Sequence, residues 1–222
     1  MHGKIIVIEG LDGCGKTTQV DLLKKTLTDC RFLTFPNYES PAGEIIQEYL
    51  SGKFSEPDRI KSAYSASSFY AIDRYISYRK DWRVDYEQGK NIISARYTTS
   101  NAIYQMTKLN PDQWENYCHW LYDFEYQKLG IPQPDEIIFL DVPVAISQKL
   151  LSARYQGDEQ KKDIHEADPR YLQHCHDAAM YAGSIGKSWK FLSCCENDHM
   201  KSIDQIQQEL LLIIRNIIQS NP

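Results

Sequence analysis

The chain has 222 residues, which is enough for one well-packed α/β domain, and we expect a single domain over residues 1–222. Its formal net charge of −5 gives no overall positive field, which argues against a nucleic acid partner. The sequence shows no leader pattern and no apolar stretch long enough to span a membrane, so we expect a cytoplasmic protein without a membrane partner.

Short apolar runs along the chain are typical of buried β-strands. They lie at residues 4–9, 31–35, 91–94, 136–141 and 189–193. Helical patterns separate these runs, which predicts an α/β fold with a five-stranded, mostly parallel sheet and helices on both of its faces. Apolar residues recur at steps of three and four from Ile203 to Ile217, which predicts a final amphipathic helix.

The first predicted strand leads into the most specific motif of the chain. Residues 10–17 read Gly-Leu-Asp-Gly-Cys-Gly-Lys-Thr, which fits the P-loop spacing of Gly, four residues and Gly-Lys-Ser/Thr. The helix predicted over residues 18–29 then directs its N-terminus at a bound anion. The strand, loop and helix order disfavours the alternative of a glycine-rich turn that binds nothing.

This loop predicts a site for phosphate groups. Its glycines let backbone N–H groups point at phosphate oxygens, Lys16 adds a positive charge, and the Thr17 hydroxyl is suited to Mg²⁺. The residues expected to contact phosphates are Gly10, Gly13, Cys14, Gly15, Lys16, Thr17 and Thr18.

Two regions have less regular patterns. Residues 106–134 combine aromatic with acidic residues, and we interpret the aromatic side chains as core or as a subunit contact. Residues 153–168 are dense in charge and form either a solvated helix end or a mobile lid over the phosphates, with Arg154, Lys161 and Lys162 as its cations.

Cysteine and histidine residues do not predict a metal site. The six cysteines are scattered, with spacings that fit neither a zinc site nor a disulfide framework. His174, Cys175 and His176 are adjacent, but neighbours on a helix point in different directions and cannot converge on one ion.

Several segments, in the correct order over most of the chain, resemble the thymidylate kinase family of P-loop nucleoside monophosphate kinases. They are the P-loop with Glu9 and Asp12, Phe35-Pro36, residues 69–74 (Phe-Tyr-Ala-Ile-Asp-Arg), Arg96-Tyr97 with Ser100, Asn101 and Tyr104, and residues 140–143 (Leu-Asp-Val-Pro). The resemblance implies a P-loop NTPase fold with a small lid, transfer of the γ-phosphoryl group of ATP to dTMP, Mg²⁺ as cofactor, and a homodimer.

The resemblance also implies the residues of the dTMP site. These are Asp12, Phe35, Pro36, Tyr70, Arg74, Arg96, Ser100, Asn101 and Tyr104. Tyr70 is suited to stack on the base, with Phe69 as the competing aromatic residue. Arg74 follows Tyr70 by one helical turn and is assigned to a thymine carbonyl, with a surface salt bridge as the alternative.

The segment after the third predicted strand carries further substrate contacts. Arg96 leaves that strand at its C-terminal edge, where open α/β sheets bind ligands, and its guanidinium is suited to the monophosphate. Asn101 offers a donor and an acceptor to the N3–O4 edge of thymine, and Tyr104 is implied to lie under the deoxyribose. Ser100 is expected to contact substrate, to cap a helix N-terminus, or both.

Charges around the transferred phosphoryl group are assigned in the same way. Lys16, Arg96 and Asp12 are the expected catalytic residues, and the Asp12 carboxylate is implied to reach the sugar 3′-hydroxyl or the metal shell. Some relatives carry an arginine where this chain has Gly13. We therefore expect the lid cations Arg154, Lys161 and Lys162 to supply that charge to the ATP phosphates.

One residue departs from the family pattern at the centre of the site. Ala95 stands where the family has an aspartate next to the arginine, and Glu9 or Asp12 is the candidate to compensate. This departure leaves two alternatives beside a dTMP kinase. One is a kinase for another nucleoside or nucleotide acceptor, and the other is a nucleotide-binding protein with impaired turnover.

Overall fold

The computed structural model describes residues 2–54, 56–154, 169–186, 188–197 and 199–220, without the side chains of Arg154 and Pro169. The predicted lid over residues 153–168 falls mostly on the remainder. Lys161, Lys162 and the side chain of Arg154 therefore lie outside the described residues.

The described chain alternates between strands and helices. Its strands are β1 (Ile5–Glu9), β2 (Arg31–Thr34), β3 (Ile92–Ala95), β4 (Glu136–Asp141), β5 (Trp189–Ser193), β6 (Cys195–Glu196) and β7 (His199–Met200). Its α-helices are α1 (Lys16–Thr26), α2 (Pro41–Leu50), α3 (Arg59–Ser77), α4 (Arg83–Glu87), α5 (Thr98–Tyr104), α6 (Trp114–Tyr122), α7 (Val144–Arg154), α8 (Pro169–Ile185) and α9 (Ile203–Gln219). Short π-helical segments follow α3 at Tyr78–Trp82 and α6 at Asp123–Lys128.

The main sheet has five strands in the order β2-β3-β1-β4-β5, and every neighbouring pair is parallel. The five predicted runs are confirmed as these strands. The short antiparallel pair of β6 and β7 was not predicted, because two residues are too few to show a periodic pattern.

Helices cover both faces of the sheet, as predicted. Side chains alternate between the faces along a strand. Ile6 and Ile8 of β1 therefore pack with buried residues of α1 and α9, whereas Ile5 and Val7 pack with Tyr78 and Trp82 after α3. This arrangement leaves the C-terminal edge of the sheet for the loops.

Helix α1 differs from its predicted bounds at both ends. It begins at Lys16 rather than at residue 18, because Gly15 adopts a left-handed conformation (φ 83°) that turns the loop directly into the helix. It ends at Thr26 rather than near residue 29, because Leu27 leaves the helical region. The first turn of α1 thus carries Lys16 at the mouth of the loop.

The aromatic region 106–134 contributes to the core. Tyr117 is fully buried, and Trp114, Trp120 and Tyr122 pack around its cluster. The Trp120 ring also stacks on Phe124, with centroids 5.3 Å apart. These contacts agree with the core interpretation of the aromatic residues.

Two leucines on α9 test whether packing of this helix on the sheet stabilises the fold. Leu210 is fully buried and Leu212 is 63% exposed. We expect Leu210→Ala to lower the free energy of unfolding by about 2–5 kcal/mol, because it leaves a cavity in the core. Leu212→Ala on the same helix should change it by less than about 0.5 kcal/mol. Urea denaturation of both variants measures the difference, and equal losses would contradict the packing described here.

Candidate active site

The parallel pairing of β1 with β3 brings two functional segments together. Ile8 lies opposite Ala95 in the register, so the loop after β1 and the chain after β3 leave the sheet side by side. The backbone N–H of Arg96 also donates to the carbonyl oxygen of Ile8 at 3.1 Å. The predicted phosphate loop and the predicted phosphate-binding arginine are therefore neighbours.

Lys16 is held inside the loop that it follows. Its Nζ donates to the carbonyl oxygen of Gly10 at 2.8 Å, and its side chain is buried. Burial and the nearby positive charge of Arg96 lower the pKa of Lys16. Phosphate oxygens beside this amine would favour its charged form.

A first cavity of about 600 Å³ surrounds the loop. The predicted phosphate residues that line it are Gly13, Cys14, Gly15, Lys16, Thr17 and Thr18, whereas Gly10 contributes through the carbonyl that Lys16 contacts. Its volume is within the range of small-molecule sites. We call this space the donor cavity.

The packing of α7 against the loop leaves no room for a side chain at position 13. The φ of Gly13 is 82°, and a Cβ at this position would lie 2.6 Å from the carbonyl oxygen of Ser147. A side chain at position 13 therefore requires α7 to move. This contact gives a structural reason for the absence of a loop arginine in the chain.

A second cavity of about 460 Å³, the acceptor cavity, lies on the other side of Arg96. Its lining includes every residue that the resemblance assigned to dTMP, namely Asp12, Phe35, Pro36, Tyr70, Arg74, Arg96, Ser100, Asn101 and Tyr104. Other lining residues were not predicted from the sequence, namely Tyr38, Tyr49, Leu50, Gly52, Ser62, Gln105, Lys108 and Tyr171. Most of these are aromatic or uncharged residues that no motif marked.

Asp12 and Arg96 line both cavities. Nη2 of Arg96 donates to Asp12 Oδ1 at 2.7 Å, and the Arg96 guanidinium lies 4.8 Å from the centre of the Tyr104 ring. Burial disfavours the charge on Arg96, but Tyr104, Asp12 and Glu9 outweigh it and raise the Arg96 pKa. A permanent positive charge therefore stands where the two cavities meet.

The backbone of Arg96 is unusual for a residue with a side chain. Its φ is 67°, which lies in the left-handed region that favours glycine. Such strain is typical of functional sites. Here it accompanies the turn from β3 into α5, which carries Ser100, Asn101 and Tyr104.

The two aromatic candidates on α3 have different surroundings. Tyr70 lines the acceptor cavity. Phe69 packs against the rings of Tyr49 and Phe54, with centroids 5.6 and 5.5 Å away. The geometry favours Tyr70 as the residue that faces a ligand and Phe69 as its packing support.

Asp73 fixes the loop that carries Phe35 and Pro36. The backbone N–H of Asn37 and the hydroxyl of Ser40 donate to the Asp73 carboxylate at 2.8 and 2.9 Å. Burial raises the pKa of Asp73. Sequence reasoning missed this residue, because its role depends on a contact between distant parts of the chain.

The alternative of a surface salt bridge for Arg74 is wrong. Arg74 is only 2% exposed, and its Nε and Nη2 donate to the two carboxylate oxygens of Glu125 at 2.7 and 2.6 Å. Glu125 itself is fully buried, in the π-helical segment after α6. Sequence reasoning missed Glu125, although a buried arginine on a helix requires such a partner.

The helix-cap alternative for Ser100 is also wrong. Helix α5 begins at Thr98, so Ser100 lies inside its first turn, and the residue before the helix makes no side-chain cap. The Ser100 hydroxyl instead donates to Glu9 Oε1 at 2.8 Å. Ser100 also lines the acceptor cavity.

Glu9 provides the buried carboxylate that lies closest in sequence to the loop. It is fully buried at the end of β1 and accepts hydrogen bonds from the Thr99 hydroxyl at 2.7 Å and from the backbone N–H of Tyr97 at 3.3 Å. It therefore orders the segment that follows Arg96. This role differs from that of an aspartate at position 95, which would face the donor cavity that Ala95 lines.

Comparison with known proteins identifies this architecture. A sequence profile described as thymidylate kinase matches residues 8–209. The chain belongs to the thymidylate kinase family. It is therefore an enzyme, an ATP-dependent nucleotide kinase.

Individual members of the thymidylate kinase family align over most of the chain. The thymidylate kinase of Mycobacterium tuberculosis is 30% identical, and the alignment covers 83% of this chain and 87% of the relative. A probable thymidylate kinase of Pyrococcus abyssi is 26% identical over 97% of this chain and 98% of the relative. A solved thymidylate kinase structure from Candida albicans, 23% identical, covers 97% of this chain and 92% of that chain with a TM-score of 0.71, in agreement with the fold.

One negative finding accompanies the family assignment. In the part of the chain that the structure describes, no helix combines the length and the apolar character needed to cross a lipid bilayer.

The departure at Ala95 gives a testable prediction. We expect Ala95→Asp to raise kcat by about 10-fold. A carboxylate at the end of β3 would add an oxygen ligand for Mg²⁺ beside the loop in the donor cavity. Asparagine has nearly the same shape as aspartate but carries no charge, so Ala95→Asn should not raise kcat. A steady-state assay with saturating substrates measures both, and a kcat for Ala95→Asp at or below that of the wild-type enzyme would contradict the prediction.

Proposed function

We propose that this enzyme transfers the γ-phosphoryl group of ATP to dTMP and so forms dTDP and ADP. The observation that carries the proposal is the pair of cavities of nucleotide size that share Asp12 and Arg96. A phosphoryl group moving from one nucleotide to the other would pass this shared boundary.

On the donor side, we propose that backbone N–H groups of residues 13–18 and the Lys16 amine bind the ATP phosphates. The left-handed glycines and the start of α1 at Lys16 support this role, because they turn N–H groups toward one point. The lid cations Arg154, Lys161 and Lys162 are proposed to add positive charge to the ATP phosphates.

The donor set beside the loop suits Mg²⁺. Thr17 contributes an exposed hydroxyl and Asp12 a half-buried carboxylate, and oxygen is the ligand that Mg²⁺ prefers. We propose that these two residues hold the ion together with the ATP phosphates. When bound, it would neutralise charge on the transferred group.

On the acceptor side, Arg96 is proposed to bind the phosphate of dTMP, Tyr70 to stack on the base, and Tyr104 to pack under the sugar. As the alternative to holding Mg²⁺, Asp12 is proposed to reach the sugar 3′-hydroxyl. Arg74 and Asn101 are buried residues that line the acceptor cavity, and they are proposed to contact the base. Phe35 and Pro36 would close the side of the cavity next to the loop that Asp73 holds.

The reaction needs positioning more than acid–base chemistry. An oxygen of the dTMP phosphate forms a bond to the γ-phosphorus as the bond from that phosphorus to the bridging oxygen of ADP breaks, and ADP leaves with the electron pair. The acceptor oxygen is already ionised near neutral pH, so no protein base is required. Lys16 and Arg96 would stabilise the negative charge that spreads over the transferred group.

We also propose that the enzyme acts as a homodimer in the cytoplasm. The dimer follows from the resemblance to the family, and sedimentation or size-exclusion analysis tests it.

The acceptor is tested with a panel of nucleotides. An assay of ADP release with dTMP, dUMP, dCMP, dGMP and thymidine should show the highest kcat/KM for dTMP. Equal rates with all acceptors would overturn dTMP as the substrate and favour the broader kinase. Stabilisation by dTMP and ATP in a thermal-shift assay without product would favour the nucleotide-binding protein with impaired turnover.

The two neighbouring aromatic residues of α3 provide a matched test of base stacking. We expect Tyr70→Ala to raise KM for dTMP by about 10- to 100-fold, because stacking contributes about 1–3 kcal/mol per base. Phe69→Ala removes a ring that packs on Tyr49 and Phe54, so it should lower the melting temperature with a smaller effect on KM. The reverse pattern would assign the stacking role to Phe69.

A further inference from the structure

The carboxylate of Glu125 contacts both side chains that are proposed to bind the base, Arg74 and Asn101. Besides the two hydrogen bonds from Arg74, it accepts from the Thr98 hydroxyl at 2.7 Å and from Asn101 Nδ2 at 3.3 Å. Glu125 is fully buried and does not line the acceptor cavity, whereas Arg74 and Asn101 do. It thus lies behind the two side chains that a ligand meets.

Stability alone does not explain a buried ion pair at this position. Burying an ion pair removes two charges from water, and apolar residues of similar size often stabilise a core equally well. Arg74 and Glu125 satisfy each other in a bidentate contact, which aligns the planar guanidinium as well as neutralising it. The contact occupies Nε and Nη2, which leaves Nη1 to donate to a ligand.

Glu125 also restricts what Asn101 can offer. One N–H of the Asn101 amide donates to the carbonyl oxygen of Ser67 at 3.2 Å and the other to Glu125 Oε1 at 3.3 Å. Both partners are acceptors only, so they determine which end of the amide faces them. Asn101 therefore does not offer the cavity both a donor and an acceptor, because only its Oδ1 acceptor remains for a ligand.

This pattern matches one type of pyrimidine edge. Thymine and uracil present a donor at N3 and an acceptor at O4, which are complementary to the Asn101 acceptor and the Arg74 donor. Cytosine presents an acceptor at N3 and a donor amine at C4. Its N3 would therefore face the Asn101 acceptor, and its amine would face the Arg74 donor. A site with buried polar groups rejects such a ligand strongly.

We propose that Glu125 is a positioning residue that sets the acceptor specificity, by holding Arg74 as a donor and Asn101 as an acceptor toward the base. The inference rests on the proposed function, since it names the residue that selects a keto pyrimidine in the same site. Glu125 itself does not touch the substrate.

Glu125→Gln tests the proposal. Arg74 donates to both oxygens of Glu125, through Nε to one and through Nη2 to the other, and Asn101 shares the oxygen that Nη2 contacts. The glutamine side chain has one acceptor oxygen and one NH₂ group, so it cannot accept from both nitrogens of Arg74, and its NH₂ group would face either Nε or the pair formed by Nη2 and the Asn101 amide. We expect KM for dTMP to rise by about 10-fold and the ratio of kcat/KM for dTMP over dCMP to fall by about 10-fold or more. The KM for ATP and the ratio for dTMP over dUMP should stay unchanged, because dUMP presents the same edge as dTMP.

These ratios separate positioning from stability. Both acceptors are assayed on one preparation, so the fraction of folded enzyme cancels. Ile214→Ala is the matched control, because Ile214 is a fully buried residue of the α1 and α9 cluster and should lower the melting temperature without changing either ratio. A Glu125→Gln variant that melts earlier but keeps the wild-type ratio for dTMP over dCMP would overturn the proposal.

Glu125→Asp covers the case in which the glutamine variant does not fold. It keeps the negative charge beside Arg74 but withdraws the carboxylate by one methylene, so it cannot maintain all of the contacts. We expect the ratio for dTMP over dCMP to fall about 5-fold in this variant, and an unchanged ratio would equally overturn the proposal. A wild-type enzyme without any preference for dTMP over dCMP would instead overturn the proposed function.

Discussion

The parallel pairing of β1 with β3 is the constraint on which the site depends. Because Ile8 lies opposite Ala95, the phosphate loop and Arg96 leave the same edge of the sheet at the same height. The hydrogen bond from the Arg96 N–H to Ile8 then fixes the turn in which Arg96 takes its left-handed conformation. A slip of one residue in this register would turn the side chains of β3 to the opposite face and would separate Arg96 from Asp12.

Two fully buried carboxylates order the two sides of the acceptor cavity. Glu9, at the end of β1, holds the start of α5 through Thr99 and Ser100. Glu125 holds Arg74 and Asn101 from behind. In both cases the charge is satisfied by several donors, which offsets the cost of its burial. Helix α5 is thereby tied to the sheet, and helix α3 is tied to α5, by polar contacts where the ligand is proposed to bind.

Much of the fold and part of the site could be predicted from the sequence. Each parallel strand contains a short apolar run, most clearly the β-branched Ile5-Ile6-Val7-Ile8 of β1, and the P-loop has a spacing that serves one physical purpose. Residues on motifs, such as Asp12 and Arg96, could therefore be predicted to lie close together, and both line the two cavities. Glu125, Glu9 as an organiser and the orientation of Asn101 depend on contacts between residues far apart in the chain, for which local pattern carries no signal. The short strand pair β6 and β7 could not be predicted either, because each strand has too few residues to form a periodic pattern.

The close approach of α7 to the loop limits how this enzyme can change. With the Ser147 carbonyl 2.6 Å from the place of a Cβ on Gly13, a single substitution to arginine would collide with the backbone before its charge could act. An arginine in the loop is accessible only after α7 has shifted, so the order of substitutions matters. If the lid supplies the proposed positive charge, the position of α7 means that moving this charge into the loop requires a shift of the helix as well as a substitution at Gly13.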